Sequence, residues 1–204
     1  MYFRDRETDI AIVETGLGGT MDSTNIIRPL VSVLTSISRD HVPLLGSDLR
    51  SIAANKAGII KSRVPVITSN TAGPVMEVIH AKARSTQSTV YCLNEQFSIR
   101  TGKSPDGTLL LSLRFGNYRF QNIVLPLAGR HQAVNAALAI ASALLAAEKG
   151  FVIKEEHVRA ALLNTVIPGR MEILSSNPLV IFDPAHNAAA VRALFKTISS
   201  RYPS

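Results

Sequence analysis

Residues 10–25 read Ile-Ala-Ile-Val-Glu-Thr-Gly-Leu-Gly-Gly-Thr-Met-Asp-Ser-Thr-Asn. An apolar run delivers one carboxylate, Glu14, to its end. A glycine loop follows at once with Gly16, Gly18 and Gly19. A buried strand that releases an acid into a close-approach loop is how open α/β sheets place a metal or phosphate ligand. Asp9–Thr15 is therefore predicted as a buried strand.

Working outward, Val31–Ile37 reads as a second strand. Asp48 can cap a helix running to about Ile60. Val64–Ser69 is a third strand, Pro74 opens a helix through about Arg84, and Val90–Leu93 is a fourth strand. This alternation predicts a largely parallel α/β sheet. The texture changes at Gln96. Phe97–Arg100, Leu109–Phe115 and Tyr118–Val124 read as short antiparallel strands. Pro105-Asp106-Gly107 and Gly116-Asn117 supply the turns. Helices are expected at about His131–Lys149 and Lys154–Asn164. Pro168-Gly169 then punctuates the chain. Leu179–Asp183 reads as another strand and Ala188–Ser200 as another helix, the opening of a second α/β unit.

Composition bounds the function. The chain has 204 residues, of which 46% are hydrophobic, enough for a real core. One cysteine, Cys92, excludes an internal disulfide and fits a reducing compartment. The apolar runs fall short of a membrane span. The net charge of +7 is scattered rather than gathered in a block. That pattern argues against a nucleic-acid binder and suits an anionic small substrate. The N-terminus carries no apolar signal-peptide core. It runs almost directly into the first strand, so the chain is expected to begin inside a larger fold.

Two motifs mislead. Gly16-Leu-Gly-Gly resembles a dinucleotide loop, but the next strand follows too soon for the crossover helix that such a loop needs. Gly102-Lys103-Ser104 matches the end of a phosphate-binding P-loop. Phe97 stands where the first glycine belongs, and Pro105-Asp106-Gly107 turns toward a strand rather than a helix. A hairpin loop is the better reading.

The remaining blocks are individually weak. Asp40-His41 lies just past a strand end, where a histidine can ligate a metal or simply cap and pack. Lys56 can complement a helix dipole or act on a ligand. His131 to Asn135 open the alanine-rich helix, where free N–H groups bind anions or are merely capped. Arg170 stands at a junction where a phosphate clamp would be useful. Asp183-Pro-Ala-His-Asn187 repeats the opening design, an acid at a strand end followed by a polar loop.

Taken in order, these blocks resemble the folylpolyglutamate synthase/dihydrofolate synthase family, a branch of the Mur-ligase-like amide-forming enzymes. The matching stretches are Glu14-Thr-Gly-Leu-Gly-Gly with Asp22-Ser-Thr-Asn25, and Thr35-Ser-Ile-Ser-Arg-Asp-His41 with Leu45-Gly46. They continue with Lys56-Ala-Gly-Ile-Ile-Lys61, His131-Gln-Ala-Val-Asn135, Pro168-Gly-Arg-Met-Glu172 and Asp183-Pro-Ala-His-Asn187.

The resemblance implies a central ATPase domain, residues 1–173, whose P-loop would precede the chain. It also implies the first βα unit of a C-terminal domain, 174–204. It implies ATP and magnesium, with Glu14 and His41 as metal ligands. Lys56 looks like the lysine that can be carbamylated in such ligases, and it is grouped with His41 and Arg170 as catalytic. Asn135, Arg170, Asp183 and His186 match nucleotide-side positions. The implied reaction activates a carboxylate of dihydropteroate or folate as an acyl phosphate, which the amine of glutamate then attacks. Cytoplasm is the expected compartment, with the mitochondrion as alternative, and neither nucleic acid nor membrane is an expected partner. As an isolated piece the chain is expected to be inactive. The alternative is a non-catalytic remnant or interaction module of the same fold. Four departures stand out: Pro184 and Ser38 replace usual glycines, Thr20 replaces a frequent arginine, and Asn55 stands where an acid is common.

Overall fold

The computed structural model describes residues 2–39, 42–46, 48–71 and 73–202, with the backbone alone for Val42 and Pro43. A short helix α1 (Tyr2–Asp5) precedes a long irregular segment and a 3-10 turn at Ser23–Ile26. Strand β1 (Ser32–Leu34) follows, then helices α2 (Val42–Leu45) and α3 (Leu49–Lys56). A 3-10 turn at Ala57–Ile59 leads to β2 (Val66–Thr68), α4 (Gly73–Ser85) and β3 (Val90–Cys92). These three strands form a parallel sheet in the order β1-β2-β3, with Val66 facing both Ser32 and Val90.

Asp48 starts α3 as the sequence predicts, accepting the N–H groups of Arg50 at 2.8 Å and Ser51 at 3.0 Å. On one face of the sheet α3 and α4 bury Ile52, Ala53, Val75, Met76 and Ile79. Val66 and Cys92 join that layer, while Ile67 points to the opposite face and a second core. Alternation along β2 thus feeds two hydrophobic layers, which is why all three of its residues are buried.

The second core is built on an antiparallel sheet of β4 (Phe97–Lys103), β5 (Leu109–Phe115) and β6 (Tyr118–Leu125). Its inner face presents Phe97, Leu111, Leu113, Phe120, Ile123 and Leu125 to helix α5 (Arg130–Ala147). Ala133, Ala137 and Ala141 are fully buried there. Their small side chains let α5 lie close to both sheets, so the alanine-rich composition is a packing requirement. Helix α6 (Glu155–Leu163) covers the edge at β6, with Arg159 donating to the Gln121 carbonyl at 2.8 Å. Lys103 and Ser104 end β4 and begin its hairpin turn, where Gly107 N–H donates to Ser104 O at 2.9 Å. The hairpin reading of Gly102-Lys103-Ser104 holds.

The chain ends with β7 (Glu172–Ser176), β8 (Leu179–Phe182) and helix α7 (Ala188–Arg201). Strand β7 is absent from the sequence-based prediction. It pairs antiparallel with β8, Ile173 opposite Ile181. No helix among the described residues is long and apolar enough to cross a membrane.

One expectation fails. Asp9–Thr15 is not a strand, and Ile12 is 93% exposed. An apolar run becomes a strand only when another strand pairs with it. β1 ends the parallel sheet and does not pair with this run. The carboxylate of Glu14 is therefore exposed rather than delivered by a buried strand.

Candidate functional site

The glycine loop does make a close approach, but to protein. Gly19 N–H donates to Asn55 Oδ1 at 3.0 Å, and Thr20 N–H to the Asn55 carbonyl at 2.9 Å. A Cβ at Gly19 would lie 2.7 Å from the Lys56 carbonyl and 2.8 Å from that of Asn55. Gly18 adopts φ +71°, which favours glycine. The loop is thus clamped onto the C-terminal end of α3. Asn25 reinforces the clamp, donating to the carbonyls of Thr20 at 3.1 Å and Gly58 at 3.3 Å. Lys61 Nζ donates to the Asn25 carbonyl at 2.6 Å, so that lysine serves the scaffold.

Asp22 closes the same loop. The Thr24 hydroxyl, then the N–H groups of Leu17 and Thr24, pull its carboxyl from 3.8 down to about 2. A depressed carboxyl stabilises the loop above its ordinary range, and that contribution is lost as pH falls from about 3.8 through about 2. The amide resonances of Leu17 and Thr24 are expected to titrate with a midpoint near 2, and Asp22→Asn is expected to abolish that titration. A midpoint at the ordinary carboxylate value would contradict the assignment.

Lys56, at the end of α3, also borders a cleft of about 360 Å³, within the size range of ligand sites. Ser36 and Ser38 enter it from the loop after β1. Lys56 enters from the end of α3, and His131 and Asn135 from the first turns of α5. Arg170 and Asp183 enter from either end of the β7–β8 hairpin, and Asn187, Ala189 and Ala190 from the start of α7. Asn70 holds the loop that carries Ser36 and Ser38. It accepts the Ile37 N–H at 2.9 Å and donates to the Thr35 carbonyl at 2.8 Å, tying the loop after β1 to the loop after β2.

Charge in the cleft is mixed. Neither Lys56 nor Arg170 takes part in an ion pair among the described residues. Asp183 accepts Met171 N–H at 3.1 Å and Ala185 N–H at 3.0 Å, which shapes the hairpin base. Burial pushes the His131 imidazole below its ordinary value, Asp183 pulls it up and Arg170 pushes it down. The balance favours the neutral ring. Asn187 caps α7 by accepting the Ala190 N–H at 2.9 Å. Two helix N-termini thus open toward one cavity that holds two cations, an arrangement suited to an anionic ligand.

Of the residues singled out in the sequence, Lys56, Asn135, Arg170 and Asp183 meet in this cleft. His186 does not line it, and its Nδ1 lies 3.0 Å from the Pro184 carbonyl. Glu14 does not line it either. Asp40 and His41 lie outside the described residues. Among the described residues no group of three or more His, Cys, Asp or Glu side chains could hold a metal ion. Ser36, Ser38 and His131 were present in the quoted motifs but carried no role. The signal available for the serines was their position just past a strand's C-terminal end.

Residues 2–143 match the Mur ligase middle domain. The chain belongs to the Mur ligase family. Within it, the resemblance to the folylpolyglutamate synthase/dihydrofolate synthase branch is borne out. The chain is 35% identical over 202 residues to the folylpolyglutamate synthase of Lacticaseibacillus casei, covering 98% of this chain and 47% of that one. It is 35% identical over 204 residues to the dihydrofolate synthase/folylpolyglutamate synthase of Bacillus subtilis, with 99% and 47% covered. A solved FPGS–AMPPCP–folate complex superimposes with a TM-score of 0.94 at 33% identity, covering 100% of this chain and 50% of that one. The Mycobacterium tuberculosis folylpolyglutamate synthase complexed with ADP and AMPPCP gives 0.88 at 37% identity, with 97% and 45% covered. The chain spans about half the length of the relatives it matches.

Proposed function

We propose that this chain is the middle part of an ATP-dependent ligase that joins glutamate to dihydropteroate or folate through an acyl phosphate. The observation that carries the reading is the cleft. Four residues from four separate sequence blocks, Lys56, Asn135, Arg170 and Asp183, line one cavity beside two helix N-termini. ATP supplies the phosphoryl group that activates the carboxylate.

The chain's own residues hold and orient. Arg170 offers a planar guanidinium to phosphate oxygens, and the first turns of α5 and α7 offer N–H groups. Asn135 offers an amide on the nucleotide side. Asp183 fixes the hairpin that carries Arg170. Lys56 contributes positive charge where phosphoryl charge gathers, or an oxygen ligand if carbamylated. His186 is proposed on the nucleotide side on the resemblance alone. Glu14 and His41 are proposed as magnesium ligands on the resemblance alone. Residues 1–173 would be the central domain and 174–204 the opening of the second, although β7 (Glu172–Ser176) straddles that line. Cytoplasm is the proposed compartment.

Calorimetric titration of this chain with MgATP tests the reading. One-to-one binding with a Kd of about 1 mM or tighter is expected. Binding of neither ATP nor ADP would overturn it.

A further inference from the structure

Helix α7 is anchored by a narrow contact. Thr197 is its only buried residue, 6% exposed, while Phe195 two positions earlier is 65% exposed. The contact is made at Gly129, the residue before α5. Gly129 sits at φ +96°, and its missing Cβ would lie 2.7 Å from Thr197 Oγ1. The same Cβ would lie 2.6 Å from His131 Cε1 and 2.8 Å from its Nδ1. Thr197 and the His131 ring therefore converge on the one face of the chain that only glycine leaves open. The Thr197 hydroxyl is already used within its helix, donating to the Ala193 carbonyl at 2.8 Å. Its part in the contact is shape, not a hydrogen bond. A second tie, Lys103 Nζ to the Ser200 carbonyl at 3.4 Å, lies one turn further along α7.

We propose that Thr197 is a positioning residue of the cleft: by packing into the gap at Gly129 it seats α7 and fixes the His131 ring against the ligand-facing side of α5. The inference rests on the proposal that the cleft holds a nucleotide. It explains why a helix with one buried residue keeps its N-terminal turn over the cleft, and why a β-hydroxyl-sized side chain stands at 197. A longer side chain there has no space to enter. The His131 ring and the α7 N-terminus then lose their common reference surface.

The test uses the whole chain with ADP and magnesium as the probe. Thr197→Val keeps the shape, whereas Thr197→Leu overfills the gap. His131 is followed by its imidazole carbon-bound proton resonance, and affinity by calorimetry. Thr197→Leu is expected to move or broaden the His131 resonance in the free protein and to weaken ADP binding about tenfold. Thr197→Val is expected to leave both within about twofold of the parent. His131→Ala is expected to weaken ADP about tenfold on its own, with Thr197→Leu adding less than its own tenfold on top, because part of its effect runs through the same ring. If Thr197→Leu unfolds the chain, Thr197→Ala replaces it and is expected to broaden the same resonance. An unmoved His131 resonance in the folded variant, or losses that multiply in the double variant, overturns the inference. If the parent chain does not bind ADP, the nucleotide reading fails, and the His131 resonance alone decides whether Thr197 positions the ring.

Discussion

Gly58→Ala is expected to cost about 2–4 kcal/mol of folding stability, far more than an ordinary glycine-to-alanine change. Gly58 has no unusual backbone angle, so the loss comes from space. A Cβ there would lie 2.5 Å from Thr20 Cα and 2.7 Å from Thr20 N, both backbone atoms that cannot swing aside. To accommodate it the Gly18–Thr20 loop must lift from α3. It would then give up the bonds from Gly19 and Thr20 to Asn55, and Asn25 would lose the Gly58 carbonyl. Gly102→Ala is the matched control, since nothing lies within 4 Å of its missing Cβ. Urea unfolding of both variants checks the difference. A loss below about 1 kcal/mol for Gly58→Ala would mean that the loop is not clamped as described.

Arg170→Ala is expected to weaken MgATP binding by about 10- to 100-fold, the range for deleting one charge-assisted hydrogen bond to an anion. Arg170 is exposed and in no ion pair among the described residues, so its removal leaves no orphaned partner and little stability is at stake. Arg170→Lys is expected to recover only part of the affinity, because an ammonium cannot offer the paired donors of a guanidinium. The loss should shrink as salt is raised. Equal affinity for the parent and Arg170→Ala at low salt would move the ligand away from this cleft.

Local signals made most of the fold legible. The run Leu109–Phe115 is bounded by turn residues on both sides, and the observed strand has the same limits. Asp48 starts α3 because its carboxylate can reach two free N–H groups, a purely local property. Asp9–Thr15 has equally strong local character and still is not a strand, because a strand's partner is not encoded in the strand. β7 was missed for the opposite reason. Glu172–Ser176 is short, polar at both ends and exposed on most of its length, and only pairing with β8 defines it.

The site followed the same division. The motifs carrying Lys56, Asn135, Arg170 and Asp183 were visible one at a time, and their convergence needed the tertiary fold. The glycines between Gly16 and Gly19 looked like a ligand loop because close approach leaves one signature whatever is approached. Here the approached surface is the end of α3. The role of Gly129 depends on Thr197, 68 positions away, and no local pattern could supply it.

The central claim is that a nucleotide lies between the first turns of α5 and α7. Amide chemical-shift mapping during a titration with AMPPCP and magnesium tests it most directly. The account predicts that the largest shifts fall on Arg130–Ala133, on Asn187–Ala190 and on Arg170. Shifts confined to the 104–107 hairpin turn, or spread without focus over the surface, would contradict it.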